Sequence, residues 1–318
     1  MSAEEPRLAE IRGAAARIRP FAHRTPVVTC AALEEMAGAS LFFKCENFQK
    51  VGAFKFRGAC NAVMSLSDAE AAAGVATHSS GNHAAALALA ARARGIAATI
   101  VMPRTSRAVK KAAVAGYGAE IIECEPTQAA REAALAELVA RTGATFIHPY
   151  NDPRVIAGAA TAALELIEEV GELDLLLAPV GGGGLISGSA LTVAAVAPAT
   201  RVIGVEPEGA NDAFRSLREG HIVPSLNPQT VADGLLTSLG TLTFAIIRAH
   251  VAEIVTVSET AIVAAMRHVW ERMKVLIEPS SAVPVAALLE HKLVLSGERV
   301  GVILSGGNVD LDHLPWRP

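Results

Sequence analysis

LDLLLAPVGGGGLISGSALTVAAV, residues 173–196, joins a largely apolar run to an alanine-rich helical stretch through four consecutive glycines. The apolar run lacks the polar alternation of a half-exposed strand, so it reads as a strand covered on both faces of a parallel sheet. Strand, glycine loop and helix in that order form half of a βαβ unit, and the same order recurs outward in both directions. Short β-rich runs lie at 74–78, 97–102, 120–123, 145–148, 201–206, 253–257 and 300–304. Helical stretches lie at 83–94, 128–141, 185–196, 259–274 and 280–291. This alternation predicts an open α/β fold with right-handed crossovers. No internal repeat or long low-complexity linker interrupts it, so a second domain is expected as a subdivision of one architecture.

Composition narrows the function classes. The 318 residues are 51% hydrophobic with a net charge of −4, which excludes a disordered chain. Lys+Arg 28 against Asp+Glu 32, with no polybasic stretch, gives no electrostatic reason to expect nucleic acid or a membrane surface. The N-terminus mixes charges throughout and does not read as a signal peptide. The apolar runs are far shorter than the ~20 residues of a membrane helix. Cys30, Cys45, Cys60 and Cys124 form no C-x-x-C pair and read as free thiols of a cytoplasmic protein.

Ligands of open α/β sheets bind at the carboxyl ends of strands, and three loops there are rich in Gly, Ser and Asn. They are Ser79-Ser80-Gly81-Asn82-His83, Gly181-Gly182-Gly183-Gly184 and Ser305-Gly306-Gly307-Asn308. Four glycines at a helix N-terminus let several N–H groups converge on an anion. The register fits neither G-x-G-x-x-G nor the lysine-bearing P-loop, so the reading is a phosphate cradle of another kind, with a plain tight turn as the alternative. Any single lysine is ordinarily a solvated surface charge. Lys55 differs, because Phe54 and Phe56 flank it in a chain only 4% aromatic. An apolar flank lowers an ammonium pKa and yields the neutral amine that forms Schiff bases.

Ala53-Phe54-Lys55-Phe56-Arg57-Gly58, the Ser79–His83 loop, the tetraglycine and the Ser305–Asn308 loop stand in the order and spacing of one family. The chain resembles the fold-type II pyridoxal-phosphate enzymes of the serine/threonine dehydratase and serine racemase group, from Arg24-Thr25-Pro26 to Asp310. One departure is Ala53, where many members carry Ser. The resemblance implies a tryptophan synthase β-like fold of two open twisted α/β domains with pyridoxal 5'-phosphate in the cleft between them. It implies a large cofactor domain of residues 1–48 plus 149–318 and a small substrate domain of residues 49–148.

The same resemblance assigns roles. Lys55 carries the cofactor and acts as base at the substrate Cα, and Phe54 packs beside the ring. Gly181, Gly182, Gly183, Gly184 and Leu185 bind the phosphate, Asn82 the ring 3′-oxygen, and Ser305 faces the pyridine nitrogen, with Glu278 near the cofactor. Ser79, Ser80, Gly81, Asn82 and His83 take the substrate carboxylate, while Arg131 reaches toward the site. Ser80 lies where racemases place the acid/base opposite the lysine. Glu206, Asp212 and the Ala210 carbonyl match a structural divalent-cation site for Mg²⁺, Mn²⁺ or Ca²⁺. Ala85 stands where ATP-activated racemases use Gln, which argues against ATP activation.

The expected activity is a dehydratase (ammonia-lyase) converting L-serine, L-threonine or 3-hydroxyaspartate to a 2-oxo acid plus ammonia by β-elimination. The nearest alternative is an amino-acid racemase using the same lysine with Ser80. A non-catalytic nucleotide-binding α/β module is the alternative from another class. The resemblance implies a cytoplasmic homodimer, and with the sequence ending at Pro318 no regulatory domain is expected after the catalytic fold.

Overall fold

Apolar strands with no polar face satisfy their backbones only inside a sheet covered on both sides. The structure, a computed structural model, describes residues 4–106 and 108–316 and contains two such sheets. Its strands are β1 (Val27–Val28), β2 (Ser40–Cys45), β3 (Val75–His78), β4 (Ala98–Pro103), β5 (Glu120–Cys124), β6 (Thr145–Phe146), β7 (Leu175–Pro179), β8 (Arg201–Pro207), β9 (Glu253–Val257) and β10 (Arg299–Leu304). The larger sheet has the order β1-β2-β10-β7-β8-β9 and the smaller β5-β4-β3-β6. All neighbours run parallel except β1, which pairs antiparallel with β2. At the centre of the larger sheet Val302 stands opposite both Phe43 and Leu177. Every residue of β7 is buried.

Several elements depart from the sequence expectation. β1 and β2 were not anticipated, nor was the helix Pro153–Val170, which Asp152 caps and Pro153 opens. Its residues from Val155 to Leu164 are all buried, and its exposed ones gather in the last turn. The strand expected at 145–148 stops at Phe146, because the His148 ring nitrogen accepts from the Tyr150 and Asn151 N–H groups and turns the chain. The helix expected at 259–274 is α-helical only over Glu259–His268, then passes through a π-helical turn and ends at Lys274 with φ +60°.

Between the sheets, the helix Lys55–Met64 packs on Pro153–Val170 in near backbone contact. A Cβ on Gly158 would lie 2.4 Å from the Arg57 carbonyl oxygen, and one on Gly58 would lie 2.7 Å from that of Val155. Only glycine allows that approach. Among the described residues no helix is long and apolar enough to cross a membrane.

Candidate active site

The three polar loops follow β3, β7 and β10, so parallel pairing alone places the last two side by side. The chain entering the helix Lys55–Met64 joins them. Ala53 bridges to Gly306, Phe54 N–H donates to the Ser305 carbonyl at 3.0 Å, and Gly307 N–H donates to the Gly52 carbonyl at 2.9 Å. The β3 loop arrives from the other sheet. Asn82 Nδ2 donates to Glu278 Oε1 at 2.9 Å, and Asn308 Nδ2 donates to Asn82 Oδ1 at 3.0 Å. At the rim Lys110 Nζ lies 2.7 Å from Asp233 Oδ2, and a Cβ on Gly81 would stand 3.7 Å from that ammonium.

Lys55 opens its helix and points into this junction. Its Nζ donates to the Pro149 carbonyl at 3.0 Å and lies 5.1 Å from the Phe54 ring centroid. Desolvation pushes its pKa down to about 8, so a neutral amine is available at modest pH. The helix Gly184–Val196 begins at the tetraglycine, and its first intrahelical bond runs from Ser187 N–H to the Gly183 carbonyl. The N–H groups before Ser187 therefore have no intrahelical acceptor. Gly183 has φ +88°, and a Cβ on Gly182 would meet the Tyr150 ring at 2.3 Å. These residues fit pyridoxal 5'-phosphate: a depressed lysine amine for its aldehyde and a bare-backbone cradle at a helix N-terminus for its phosphate. Ser305 and Glu278, 4% exposed each, line the same junction. Burial, with the Asp233 charge, pushes Glu278 up to about 7.

In the β3 loop Ser80 is exposed and Ser79 Oγ accepts from Gly81 N–H, while Asn82 and His83 begin the helix Asn82–Arg94. Their N–H groups suit a carboxylate. The His83 ring, however, is 2% exposed with neither nitrogen in a hydrogen bond of good geometry. Burial, and then the nearby Lys55, hold it far below the ordinary histidine range and hence neutral. Arg131, on the helix Gln128–Thr142, keeps a buried Nε without a partner, and its charge lowers the pKa of His78 after the larger effect of burial.

Sequence reasoning gave His78 and His148 no role and did not single out Tyr150. His78 stacks on Phe146 at 6.0 Å, and His148 meets the Tyr150 ring edge-on at 4.6 Å. They lie at or just beyond the carboxyl ends of β3 and β6, the positional rule that would have found them. Asn151 was also missed. Its Oδ1 accepts from Leu242 N–H at 2.9 Å, and Thr243 Oγ1 donates to the Gly182 carbonyl at 2.9 Å. These contacts hold the cradle from behind.

Away from the cleft, Glu206 and Asp212 are each 1% exposed, and Ala210 is buried beside them. Glu206 accepts from the Ala213 and Phe214 N–H groups at 3.1 and 2.7 Å. Neither oxygen of Asp212 has a hydrogen bond of good geometry. Burial pushes Asp212 up to about 6 and, with the Asp212 charge, raises Glu206 well above the usual carboxylate range. Two buried carboxylates, both raised by burial and one further raised by the other's charge, fit a cation of the oxygen-preferring kind. Among the described residues no cluster of three or more His, Cys, Asp or Glu adds to them.

A family profile described as "Pyridoxal-phosphate dependent enzyme" matches residues 18–306. The chain is 56% identical over 300 residues to the beta-hydroxyaspartate dehydratase of Paracoccus denitrificans (strain Pd 1222), covering 94% of this chain and 95% of that protein. It is 50% identical over 307 residues to the L-threo-3-hydroxyaspartate ammonia-lyase of Saccharomyces cerevisiae, covering 96% and 94%. Among solved structures it is similar to maize serine racemase, with a TM-score of 0.95 and 46% identity over 97% of this chain and 95% of that one.

Proposed function

This chain belongs to the pyridoxal-phosphate dependent enzyme family, and from that premise we propose that it is an ammonia-lyase acting on 3-hydroxyaspartate. The observation that carries the reading is a depressed lysine amine between a phosphate cradle and a carboxylate loop, in a chain 56% identical to a beta-hydroxyaspartate dehydratase. Bound pyridoxal 5'-phosphate supplies the electron sink that acidifies the substrate Cα–H. Phe54, Asn82, Glu278 and Ser305 would hold its ring, and Gly181, Gly182, Gly183, Gly184 and Leu185 its phosphate.

The chain's own residues do the rest. The first-turn N–H groups of Asn82 and His83, with Ser79, Ser80 and Gly81, orient the α-carboxylate. Arg131 has a guanidinium donor to spare and would receive the second carboxylate of 3-hydroxyaspartate. Lys55 Nζ takes the Cα proton at high effective concentration. The electron pair of that bond forms Cα=Cβ, the Cβ–O bond breaks with its pair on oxygen, and the hydroxyl departs as water with the proton that Lys55 took from Cα. The free enamine then tautomerises and hydrolyses to a 2-oxo acid and ammonia.

The residues at 49–148 form the substrate side of this reading and 1–48 with 149–318 the cofactor side. Glu206, Asp212 and the Ala210 carbonyl would bind Mg²⁺, Mn²⁺ or Ca²⁺. The free cysteines support a cytoplasmic location, and a homodimer is carried over from the resemblance. Racemisation is the second reading, favoured by an exposed Ser80 and 46% identity to maize serine racemase.

A steady-state panel of L- and D-serine, L-threonine and the 3-hydroxyaspartate stereoisomers separates the two. The expected result is 2-oxo acid from 3-hydroxyaspartate at the highest kcat/KM. Inverted amino acid without 2-oxo acid would make the enzyme a racemase. Lys55→Ala lowers turnover at least about 10³-fold, and a native rate in that variant removes the mechanism.

A further inference from the structure

Behind Lys55, on the far side of its helix from the cleft, lies a cluster of charges that the reaction does not use. Arg57 is 0% exposed and uses its whole guanidinium. Its Nε and NH2 donate to the two oxygens of Glu46 at 2.7 and 2.8 Å. Its NH1 and NH2 donate to the two oxygens of Glu165 at 2.8 and 2.7 Å. NH1 also reaches Thr161 Oγ1 at 3.1 Å, and NH2 the His23 carbonyl at 3.3 Å. Lys44, also 0% exposed, donates to Glu165 at 2.7 Å and to the Thr25 carbonyl at 2.6 Å. Two cations meet two carboxylates. Although burial opposes it, Arg57 and Lys44 hold Glu165 below its ordinary value, so that carboxylate stays ionised.

A buried ion cluster is weak evidence for stability, since apolar residues of similar volume often serve as well. What the charges add is direction: a planar fork gripping two carboxylates has one good geometry. The elements so joined are the ones Lys55 must be registered against. Lys44 is the penultimate residue of β2 in the larger sheet and Glu46 stands just beyond that strand, while Glu165 and Thr161 stand on Pro153–Val170. Arg57 is two residues past Lys55, and the residue before Lys55 is pinned by its N–H to the Ser305 carbonyl.

We propose that Arg57 is a positioning residue that, through Glu46 and Glu165, sets where Lys55 stands between the glycine cradle and the carboxylate loop. The proposal rests on Lys55 being the working lysine.

Arg57→Met alone leaves two buried carboxylates unpaired and threatens folding. The test therefore uses Arg57→Lys, which keeps a charge but loses the fork, and the apolar combination Lys44→Met, Glu46→Leu, Arg57→Met, Glu165→Leu. Acetylation of Lys55 in the cofactor-free protein, followed against pH by peptide mass spectrometry, reads the environment of its amine directly. The wild-type midpoint is expected near about 8, and both variants should move it toward 10.5 as water reaches a loosened helix start. With cofactor restored, kcat on 3-hydroxyaspartate should fall about 100-fold while KM hardly changes, the cost of a misplacement near 1 Å. The apolar combination should melt no lower than wild type. An unchanged midpoint and kcat, with only the melting temperature moved, would overturn the proposal. If the combination fails to fold, Arg57→Lys decides by the same midpoint and kcat. If the wild type itself makes no 2-oxo acid, the functional reading fails while the acetylation profile still tests Arg57.

Discussion

Burial acts in opposite directions on a base and an acid, and Lys55 and Glu278 carry the two signs within one cleft. Lys55 is pushed down to about 8 from 10.5, so between those values the folded chain binds fewer protons there than the unfolded chain. Stability from this residue rises with pH through that window. Glu278 is pushed up to about 7 from 4.5, so the folded chain binds more protons there than the unfolded chain. Its contribution falls as pH rises from about 4.5 through about 7. Glu278→Gln in the cofactor-free protein should therefore stabilise by about 1–3 kcal/mol at pH 8 and by nearly nothing at pH 4. Denaturant melts at the two pH values check this, and an equal gain at both would contradict the burial argument. Lys55 was legible from its aromatic flanks, whereas the raised Glu278 was not, because its neighbour Asp233 is 45 positions away in the chain.

At the scale of elements, glycine separates backbone entropy from close packing. Gly13, in the helix Leu8–Ile18, has nothing within 4 Å of where a Cβ would stand. Gly13→Ala should stabilise by about 0.5–1 kcal/mol, the ordinary helix preference. Gly158→Ala places a Cβ 2.4 Å from the Arg57 carbonyl oxygen, a backbone atom that cannot rotate away. It should destabilise by about 1–3 kcal/mol despite the same change in propensity. Thermal melts of the pair test the opposite signs. The elements read from sequence share a reason as well. β9 has the bounds its β-branched run announced, and Gln128–Thr142 is ended by Gly143 with φ +72°. Pro153–Val170 was legible and overlooked: it keeps an amphipathic period and carries start signals in the Asp152 cap and Pro153.

At the scale of the whole molecule, the two sheets meet through contacts of different character at front and back. The back carries the Arg57 cluster and the glycine contact between helices. The front carries Lys110 with Asp233 and Asn82 with Glu278, polar pairs closing the mouth of the cleft. The Glu206 and Asp212 pair lies outside both, with Glu206 near the end of β8 in the larger sheet and Asp212 past that end. Filling it with Mg²⁺, Mn²⁺ or Ca²⁺ should raise the melting temperature, since a cation at about 100 times its Kd stabilises by roughly 2.7 kcal/mol. EDTA should reverse the rise and Glu206→Gln with Asp212→Asn should abolish it; a shift of equal size in that variant would place the cation elsewhere. The sequence by itself determined the α/β alternation, the glycine loop at a helix start and a lysine flanked by two aromatic rings, because each is written in local periodicity, backbone freedom or flanking residues. Only the tertiary structure decided that the His83 ring is buried and neutral, that His148 turns the chain after β6, and that Arg57 grips two carboxylates from other elements. Those properties depend on desolvation and on pairings between distant segments, and no local stretch of sequence encodes either one.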